Sequence, residues 1–206
     1  GAPWGAGSIT TGNTYTQGAL LLDAARRLTG RPAKQAVATH FHNDRTGGIA
    51  AMRAAGIPVF AHPFSVGLAL AHGERVPDAL PGLDRGPVTV GPVELFYPGV
   101  GHARDNITAW HQPSGTLFGG CLLRATTDNR IGNLDDGDIE AYPATLERLA
   151  RRYPNRRLVV PGHGSAAGEG LACRIEAAGR IAVEVTHGGG VSRSVTSGGT
   201  VNFAVR

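Results

Sequence analysis

Two histidines and an aspartate occupy alternating positions in the segment ATHFHNDRTGG, residues 38–48. They are His40, His42 and Asp44, and Arg45 follows directly. Imidazole nitrogens and carboxylate oxygens are good zinc ligands. Residues two apart lie on the same side of an extended chain, so this spacing predicts a group of three metal donors. A lone histidine at a strand end more commonly has a structural role than a metal-binding one. Three donors at alternating positions make that structural interpretation less favoured here.

Three further donors stand beside glycines. His102 lies in GHARDN (101–106), Cys121 in GGCLL (119–123) and His163 in PGHG (161–164). Each is predicted at the entry or exit of a strand, where glycine permits close backbone approach. Taken singly, His102 has an alternative as a turn residue, Cys121 as a small buried apolar residue and His163 as a turn cap. Together with residues 40–44 they indicate metal chemistry.

Helices and strands that alternate along the chain must position these donors. Hydrophobic periodicity predicts helices over 17–29, 46–56, 64–73 and 141–153. Strands are predicted over 34–40, 58–62, 87–90, 92–97, 106–111, 116–123 and 156–164, with a hairpin turn at 112–115. This alternation favours a layered α/β fold. His40 then ends the strand 34–40, at the edge where open α/β sheets place their sites.

The composition changes after residue 165, where Gly, Ser, Thr and Val dominate. Residues 169–181 are interpreted as one more helix, with Cys173 packed inside it. Residues 183–187 and 200–206 are expected either to pair as a hairpin or to form a loose tail, and the sequence favours neither.

Composition excludes several classes of protein. With 206 residues, 41% hydrophobic and 17% charged, the chain is long and apolar enough for one folded domain. No apolar run approaches the ~20 residues of a membrane helix, and no signal peptide is visible. The net charge is +4, but the arginines are scattered, so neither a nucleic-acid nor a membrane partner is expected. Two cysteines are too few for a disulfide scaffold.

Four motifs, in this order and spacing, resemble those of the class B1 metallo-β-lactamases. They are HFHNDR (40–45), GHARDNITAW (101–110), GGCLLR (119–124) and VVPGHG (159–164). The resemblance runs from about Gln17 to Gly164. Arg45 after Asp44, and Cys121 in place of a bridging aspartate, separate the chain from the glyoxalase II and ribonuclease Z relatives of that superfamily.

The resemblance implies the fold. It implies an α/β, four-layer αβ/βα sandwich of the metallo-β-lactamase type, formed as a single domain over 1–206 with an atypical tail at 165–206. The strands that precede the first helix in that family are not found in residues 1–16, so the fold is expected to be incomplete at its N-terminus.

The resemblance also implies the site, with two Zn²⁺ ions per chain. His40, His42 and His102 would hold the first zinc, and Asp44, Cys121 and His163 the second. Arg45 would orient Asp44, and Asp44 and Asn133 would be the catalytic residues. Asn133 would polarise the lactam carbonyl, with a plain turn asparagine as an equal alternative, and Arg124 would bind the substrate carboxylate. The remaining histidines are expected to be ordinary.

The implied function is zinc-dependent hydrolysis of the β-lactam amide bond of penicillins, cephalosporins and carbapenems, and so antibiotic resistance. A monomer located in the periplasm is implied by the same resemblance. Two alternatives stay open: another metallo-hydrolase of this fold acting on a thioester, lactone or phosphodiester, or an inactive zinc-binding remnant.

Overall fold

The computed structural model describes residues 6–125, 132–164, 170–173, 181–186, 191–196 and 200–205. The chain forms two compact units, an N-terminal unit (Gly1–Pro92) and a C-terminal unit (Val93–Arg206). The single-domain organisation stays a prediction. Over the part of the chain described, no helix has both the length and the apolar character needed to cross a bilayer.

The N-terminal unit contains a parallel sheet flanked by helices. Its sheet has the order β1 (Ala6–Ser8), β2 (Ala33–Val37), β3 (Val59–Ala61) and β4 (Asp78–Ala79). Its helices are α1 (Tyr15–Thr29), α2 (Asn43–Thr46), α3 (Ile49–Ala54) and α4 (Pro63–Ala71), and strand β5 (Val88–Val90) lies at its end. The buried side chains of Ile49, Met52 and Val59 are central to its core.

Helix α1 confirms the predicted first helix and starts two residues earlier than expected. The Thr14 side chain accepts a hydrogen bond from the Gln17 N–H, which satisfies a backbone donor in the first turn. Gly30, at φ 68°, ends the helix in the left-handed conformation that glycine adopts without steric cost.

The helix predicted over 46–56 is present only as α3 (Ile49–Ala54), and a second short helix, α2, ends at Thr46 before Gly47 and Gly48. A Cβ on Gly48 would overlap the Thr11 carbonyl oxygen and lie 2.8 Å from its carbon. The Gly48 N–H donates instead to the carbonyl of Gly12 at 3.0 Å. A close backbone contact with residues 11–13, invisible to helical periodicity, therefore interrupts the helix.

The strand predicted over 34–40 ends early, at Val37. His40 and His42 lie in the turn that follows, and Asp44 lies in α2. The extended alternation assumed from the sequence therefore does not hold across residues 40–44. The Thr46 hydroxyl donates to the carbonyls of Phe41 and His42, each at 3.1 Å, and these bonds favour the turn over an extended chain.

The C-terminal unit contains a mixed sheet backed by one helix. Its strands are β6 (Val93–Phe96), β7 (Thr108–His111), β8 (Thr116–Arg124) and β9 (Leu158–His163), in that order. The pair β7–β8 is antiparallel, as expected for the predicted hairpin; β6–β7 is also antiparallel, and β8–β9 is parallel. Helix α5 (Tyr142–Arg152) packs Tyr142, Leu146 and Leu149 into the core of this unit.

Four strands follow in the same unit: β10 (Gly170–Cys173), β11 (Ile181–Thr186), β12 (Val191–Thr196) and β13 (Thr200–Val205), in the order β10-β11-β13-β12. The helix predicted over 169–181 is wrong at residues 170–173 and 181, which are strand, while 174–180 lie outside the described residues. Neither alternative for 183–187 and 200–206 holds in the described residues, because β11 and β13 do pair but in parallel, and β12 is the antiparallel partner of β13. Alternation of apolar residues predicts a strand but not its partner.

Candidate metal centre

Three predicted ligands of the N-terminal unit come together in one turn, the donor turn, residues 40–44. One ligand atom from each of His40, His42 and Asp44 lies within 4.8 Å of the other two. The His40 and His42 rings meet edge to face at 4.6 Å, and His40 Nε2 lies 3.5 Å from Asp44 Oδ1. Zinc bonds of about 2.0–2.2 Å in tetrahedral geometry separate ligand atoms by about 3.3–3.6 Å, so small side-chain adjustments suffice.

The donor turn is fixed by its neighbours on both sides. Phe41 is 1% exposed and its ring packs against His42 at 4.4 Å and against His72 at 4.8 Å. His42 precedes α2 in extended conformation, and the Asn43 side chain donates to the Asn13 carbonyl at 3.2 Å. The buried Phe41 ring therefore anchors the turn between the two histidines, and His40 is itself buried at 1% exposure.

Arg45 is a buried neighbour of the donor turn. Its side chain is 10% exposed and its Nε forms an ion pair with Asp44 Oδ2 at 3.1 Å. The Thr11 hydroxyl donates to the Arg45 carbonyl at 2.7 Å, which holds the backbone in place. This burial excludes a solvated surface charge and matches the position expected of a group that orients Asp44.

The C-terminal unit carries the other three predicted ligands on two adjacent strands and one loop. Cys121 is a buried thiol inside β8, rather than at the strand end as predicted, and His163 is the exposed last residue of β9. A Cβ on Gly162 would lie 2.5 Å from the backbone nitrogen of Cys121, so glycine is required where β9 passes β8. His102, buried in the loop before β7, is the third.

The loop that carries His102 is closed by its own polar side chains. The Ala103 N–H donates to Asn106 Oδ1 at 3.1 Å, and Asn106 Nδ2 donates back to the Ala103 carbonyl. The Tyr97 hydroxyl donates to the Arg104 carbonyl at 3.0 Å. Burial first, and the nearby Asp105 charge second, raise the pKa of Tyr97, so its hydroxyl keeps the proton that it donates.

The two predicted substrate contacts lie next to each other. Arg124 ends β8, and a Cβ on Gly132 would lie 2.7 Å from its Nη1, so the guanidinium rests against Gly132. Asn133 follows and is exposed, and its Oδ1 accepts a hydrogen bond from the Asp135 N–H at 2.9 Å. That bond is the one a plain turn asparagine makes. It also leaves the Asn133 side-chain NH₂ as the group able to donate to a ligand.

The donor chemistry fits zinc. The donor turn offers two imidazoles and one carboxylate already grouped, and the C-terminal unit offers two more imidazoles and a thiol. A thiolate and several imidazoles suit zinc, whereas magnesium and calcium select oxygen ligands.

The sequence did not reveal three residues of α5 that hydrogen-bond to the backbone near two of the predicted ligands, His102 and Cys121. Tyr142, Thr145 and Arg148 all donate hydrogen bonds to backbone carbonyls outside their own helix. Their spacing of three residues places them on one face of the helix, and polar residues at that spacing were the available signal.

Comparison with known proteins places most of the chain in one family. Residues 10–163 match the sequence model of the metallo-beta-lactamase superfamily. The metallo-beta-lactamase type 2 of Bacteroides fragilis is 34% identical over 144 residues, covering 66% of this chain and 55% of the relative. That of Bacillus sp. (strain 170) is 36% identical over 139 residues, covering 66% and 53%. The chain spans about half the length of these curated relatives.

Solved structures of the same kind superpose on the chain. The metallo-beta-lactamase from Pontibacter korlensis has a TM-score of 0.73 and 32% identity, covering 80% of this chain and 77% of that one. The metallo-beta-lactamase FIM-1 from Pseudomonas aeruginosa, in its mono-zinc form, has a TM-score of 0.71 and 30% identity, covering 77% and 70%.

Proposed function

The chain belongs to the metallo-β-lactamase superfamily, and from that premise we propose that it is a zinc-dependent hydrolase of β-lactam antibiotics. The expected family and its α/β fold class are confirmed by the match over residues 10–163 and by the superposed structures. The observation that carries the functional proposal is the donor turn, where His40, His42 and Asp44 are already grouped within 4.8 Å.

Six side chains supply the ligands of two zinc ions in this proposal. One set comprises His40, His42 and His102, and the other comprises Asp44, Cys121 and His163. Three observations support the assignment: one family match spans all six positions, the donor types suit zinc, and His40, His42 and Asp44 lie close enough together to serve neighbouring metal ions. Bound zinc supplies a Lewis acid that polarises a carbonyl and makes water acidic enough to act as a nucleophile near neutral pH.

Asp44 has a distinct task for each carboxylate oxygen. Oδ2 faces Arg45 at 3.1 Å, and this ion pair fixes the orientation of the carboxylate. Oδ1 lies on the side of His40, at 3.5 Å from Nε2, and is the oxygen that would bind a metal or accept a proton of the attacking water. Hydrolysis adds water oxygen to the lactam carbonyl carbon, breaks the bond to the ring nitrogen and leaves a proton on that nitrogen.

Arg124 and Asn133 orient the substrate. A β-lactam drug carries a carboxylate, and a guanidinium binds a carboxylate through two parallel charge-assisted hydrogen bonds. Asn133, held by its bond from the Asp135 N–H, presents its NH₂ group to the lactam carbonyl. Gly132, between them in space, allows the Arg124 guanidinium to approach the segment that carries Asn133.

The proposal is tested by carbapenem hydrolysis with the purified chain in zinc buffer, before and after chelation. We expect turnover that chelation abolishes and zinc restores. Cys121→Ser and His163→Ala should each lower turnover by orders of magnitude, while Cys173→Ser, the same substitution at the other cysteine, should not. Full activity in Cys121→Ser would defeat the ligand assignment.

The two alternatives are outcomes of the same experiment. A folded, zinc-loaded chain that cleaves a thioester or lactone but no lactam would be another hydrolase of this fold. Zinc uptake without turnover of any of these substrates would identify a non-catalytic relative. Antibiotic resistance, a periplasmic location and a monomeric state are further parts of the proposal. They are tested by drug susceptibility of a bacterial host, by fractionation of that host and by the mass of the purified chain in solution.

A further inference from the structure

The loop before His102 directs several of its carbonyl groups at one helix. The Arg148 Nε donates to the Pro98 carbonyl at 2.6 Å, and the Thr145 hydroxyl donates to the Val100 carbonyl at 2.6 Å. The Asp138 N–H, four residues before α5, donates to the Gly101 carbonyl at 2.8 Å. Three carbonyls within four residues thus accept from one segment of the chain.

These bonds act together because their donors are themselves linked. Arg148 Nη2 donates to the Thr145 hydroxyl oxygen at 3.0 Å, so the two side chains form one network. Gly99, at φ 128°, lies between their acceptors, and a Cβ there would be 2.8 Å from Thr145 Oγ1. The loop therefore lies so close to α5 that a side chain at this position would push it away.

Tyr142 connects the same helix to the strand that carries Cys121. It is fully buried, and its hydroxyl donates to the Leu122 carbonyl at 2.7 Å. Its ring also faces Gly101, where a Cβ would lie 3.4 Å from Tyr142 Cγ. Leu122 follows Cys121, and Gly101 precedes His102. One side chain therefore contacts the backbone neighbours of two proposed ligands.

We propose that Tyr142, Thr145 and Arg148 form a positioning face of α5 that fixes His102 and Cys121 for metal binding. This inference rests on the proposed metal centre. Its physical basis is that metal affinity depends on holding the donors close to their bound geometry, and loss of a supporting contact lowers affinity about 10- to 100-fold. Tyr142 acts through the backbone neighbours of both ligands, whereas Thr145 and Arg148 act through the loop, at carbonyls two and four residues before His102. None of the three is itself a proposed ligand.

The test measures metal binding rather than turnover. Cobalt(II) replaces zinc, its absorption reports bonding to the Cys121 thiolate, and competition with a chelator gives its affinity. Tyr142→Phe removes only the hydroxyl, and Thr145→Val removes the donor while keeping the shape. We expect each to weaken cobalt binding about 10- to 100-fold and to change the cobalt–thiolate absorption. Thr145→Ser, which keeps the hydroxyl, should restore both.

Tyr153→Phe is the matched control. Tyr153 directly follows α5, and its hydroxyl donates to Glu94 in β6 at 2.8 Å rather than to the His102 loop. The same loss of a buried tyrosine hydroxyl should leave cobalt affinity and absorption unchanged, even where stability falls.

The outcomes separate this inference from the proposed function. Variants at 142 and 145 that bind cobalt like the wild type, or a loss equal to that of Tyr153→Phe, would overturn the positioning face. A wild-type chain without a cobalt–thiolate band would overturn the ligand assignment and this inference with it. A wild-type chain that binds cobalt, loses it in the variants and cleaves no lactam would refute the proposed function alone.

Discussion

Replacing Gly48 with alanine tests whether a backbone contact, rather than local helix preference, shapes the donor turn. Gly48 has φ −87°, which alanine adopts without strain, and alanine is the better helix former. Local preference alone therefore predicts stabilisation by Gly48→Ala. The structure predicts the opposite, because the added Cβ would overlap the Thr11 carbonyl oxygen and lie 3.1 Å from the Gly18 Cα.

The expected loss of stability in Gly48→Ala follows from the two backbone segments that the added Cβ must push apart. Separating the two backbones stretches the hydrogen bonds from the Gly48 N–H to the Gly12 carbonyl at 3.0 Å and to the Thr11 hydroxyl at 3.2 Å. Because the two contacts share one N–H, together they are worth about 1 kcal/mol, and overpacking adds about 1–3 kcal/mol. The free energy of unfolding should therefore fall by about 2–4 kcal/mol. Thr11 also holds the Arg45 carbonyl, so the donor turn should move and metal affinity should fall.

Urea unfolding followed by circular dichroism measures this loss, and Gly67→Ala is its control. Gly67 lies in α4 with no atom within 4 Å of the Cβ it would gain, so alanine should stabilise the chain by about 0.5–1 kcal/mol. The two glycine-to-alanine changes are thus expected to have opposite signs. A Gly48→Ala chain as stable as the wild type, with unaltered metal affinity, would refute the reasoning.

Three shorter predictions follow from single contacts. Arg45→Met removes the ion pair with Asp44 and should lower zinc affinity about 10- to 100-fold, as measured by chelator competition; unchanged affinity would contradict the orienting role. Arg124→Met should raise KM for β-lactams more than it lowers kcat, and Arg124→Lys should recover part of the binding. Steady-state kinetics measure both constants, and an equal KM in the wild type and both variants would count against recognition of the carboxylate by Arg124. Burial lowers the pKa of His62 from 6.5 to about 4, and the Asp84 charge opposes this shift. The stability that neutral His62 contributes is therefore present above pH 6.5 and is lost as the pH falls towards 4. His62→Asn can still accept the hydrogen bond from the Phe64 N–H but does not titrate, so its unfolding free energy in urea should fall less than that of the wild type across this pH window; identical slopes would reject the assignment.

The first helix and the β7–β8 hairpin were predictable because their signals are local. Gly30 marks the end of α1 through backbone chemistry that involves only its own neighbours, whereas the cap at Thr14 was not identified and the predicted start was two residues late. The short turn at 112–115 likewise sets the pairing of the strands on either side. The donor types, and their order along the chain, were also visible without a structure.

The structure brings His40, His42 and Asp44 together, but through a different geometry from the one that the sequence suggested. Alternation assumed an extended chain through residues 40–44, whereas the structure places His42 before a short helix and Asp44 inside it. The two arrangements bring the same donors together, so the sequence pattern could not distinguish them. Arg45 is buried and paired with Asp44, and its backbone is held by Thr11, which is 34 residues away in sequence. Gly48 allows the backbone at Thr11 to approach, and its position in the sequence gives no sign of that contact.

Residue types and local spacing therefore determined the C-terminal end of α1, the β7–β8 hairpin and the donor types of the proposed metal ligands, because each depends on residues near in sequence. Only the tertiary structure decided where strand β2 ends, that β11 pairs in parallel with β13, and that α5 supports the backbone beside His102 and Cys121. The contact between Tyr142 and Leu122 spans 20 residues and that between Thr145 and Val100 spans 45. Contacts at such separations depend on how the whole chain packs, and no local preference of either residue encodes its partner.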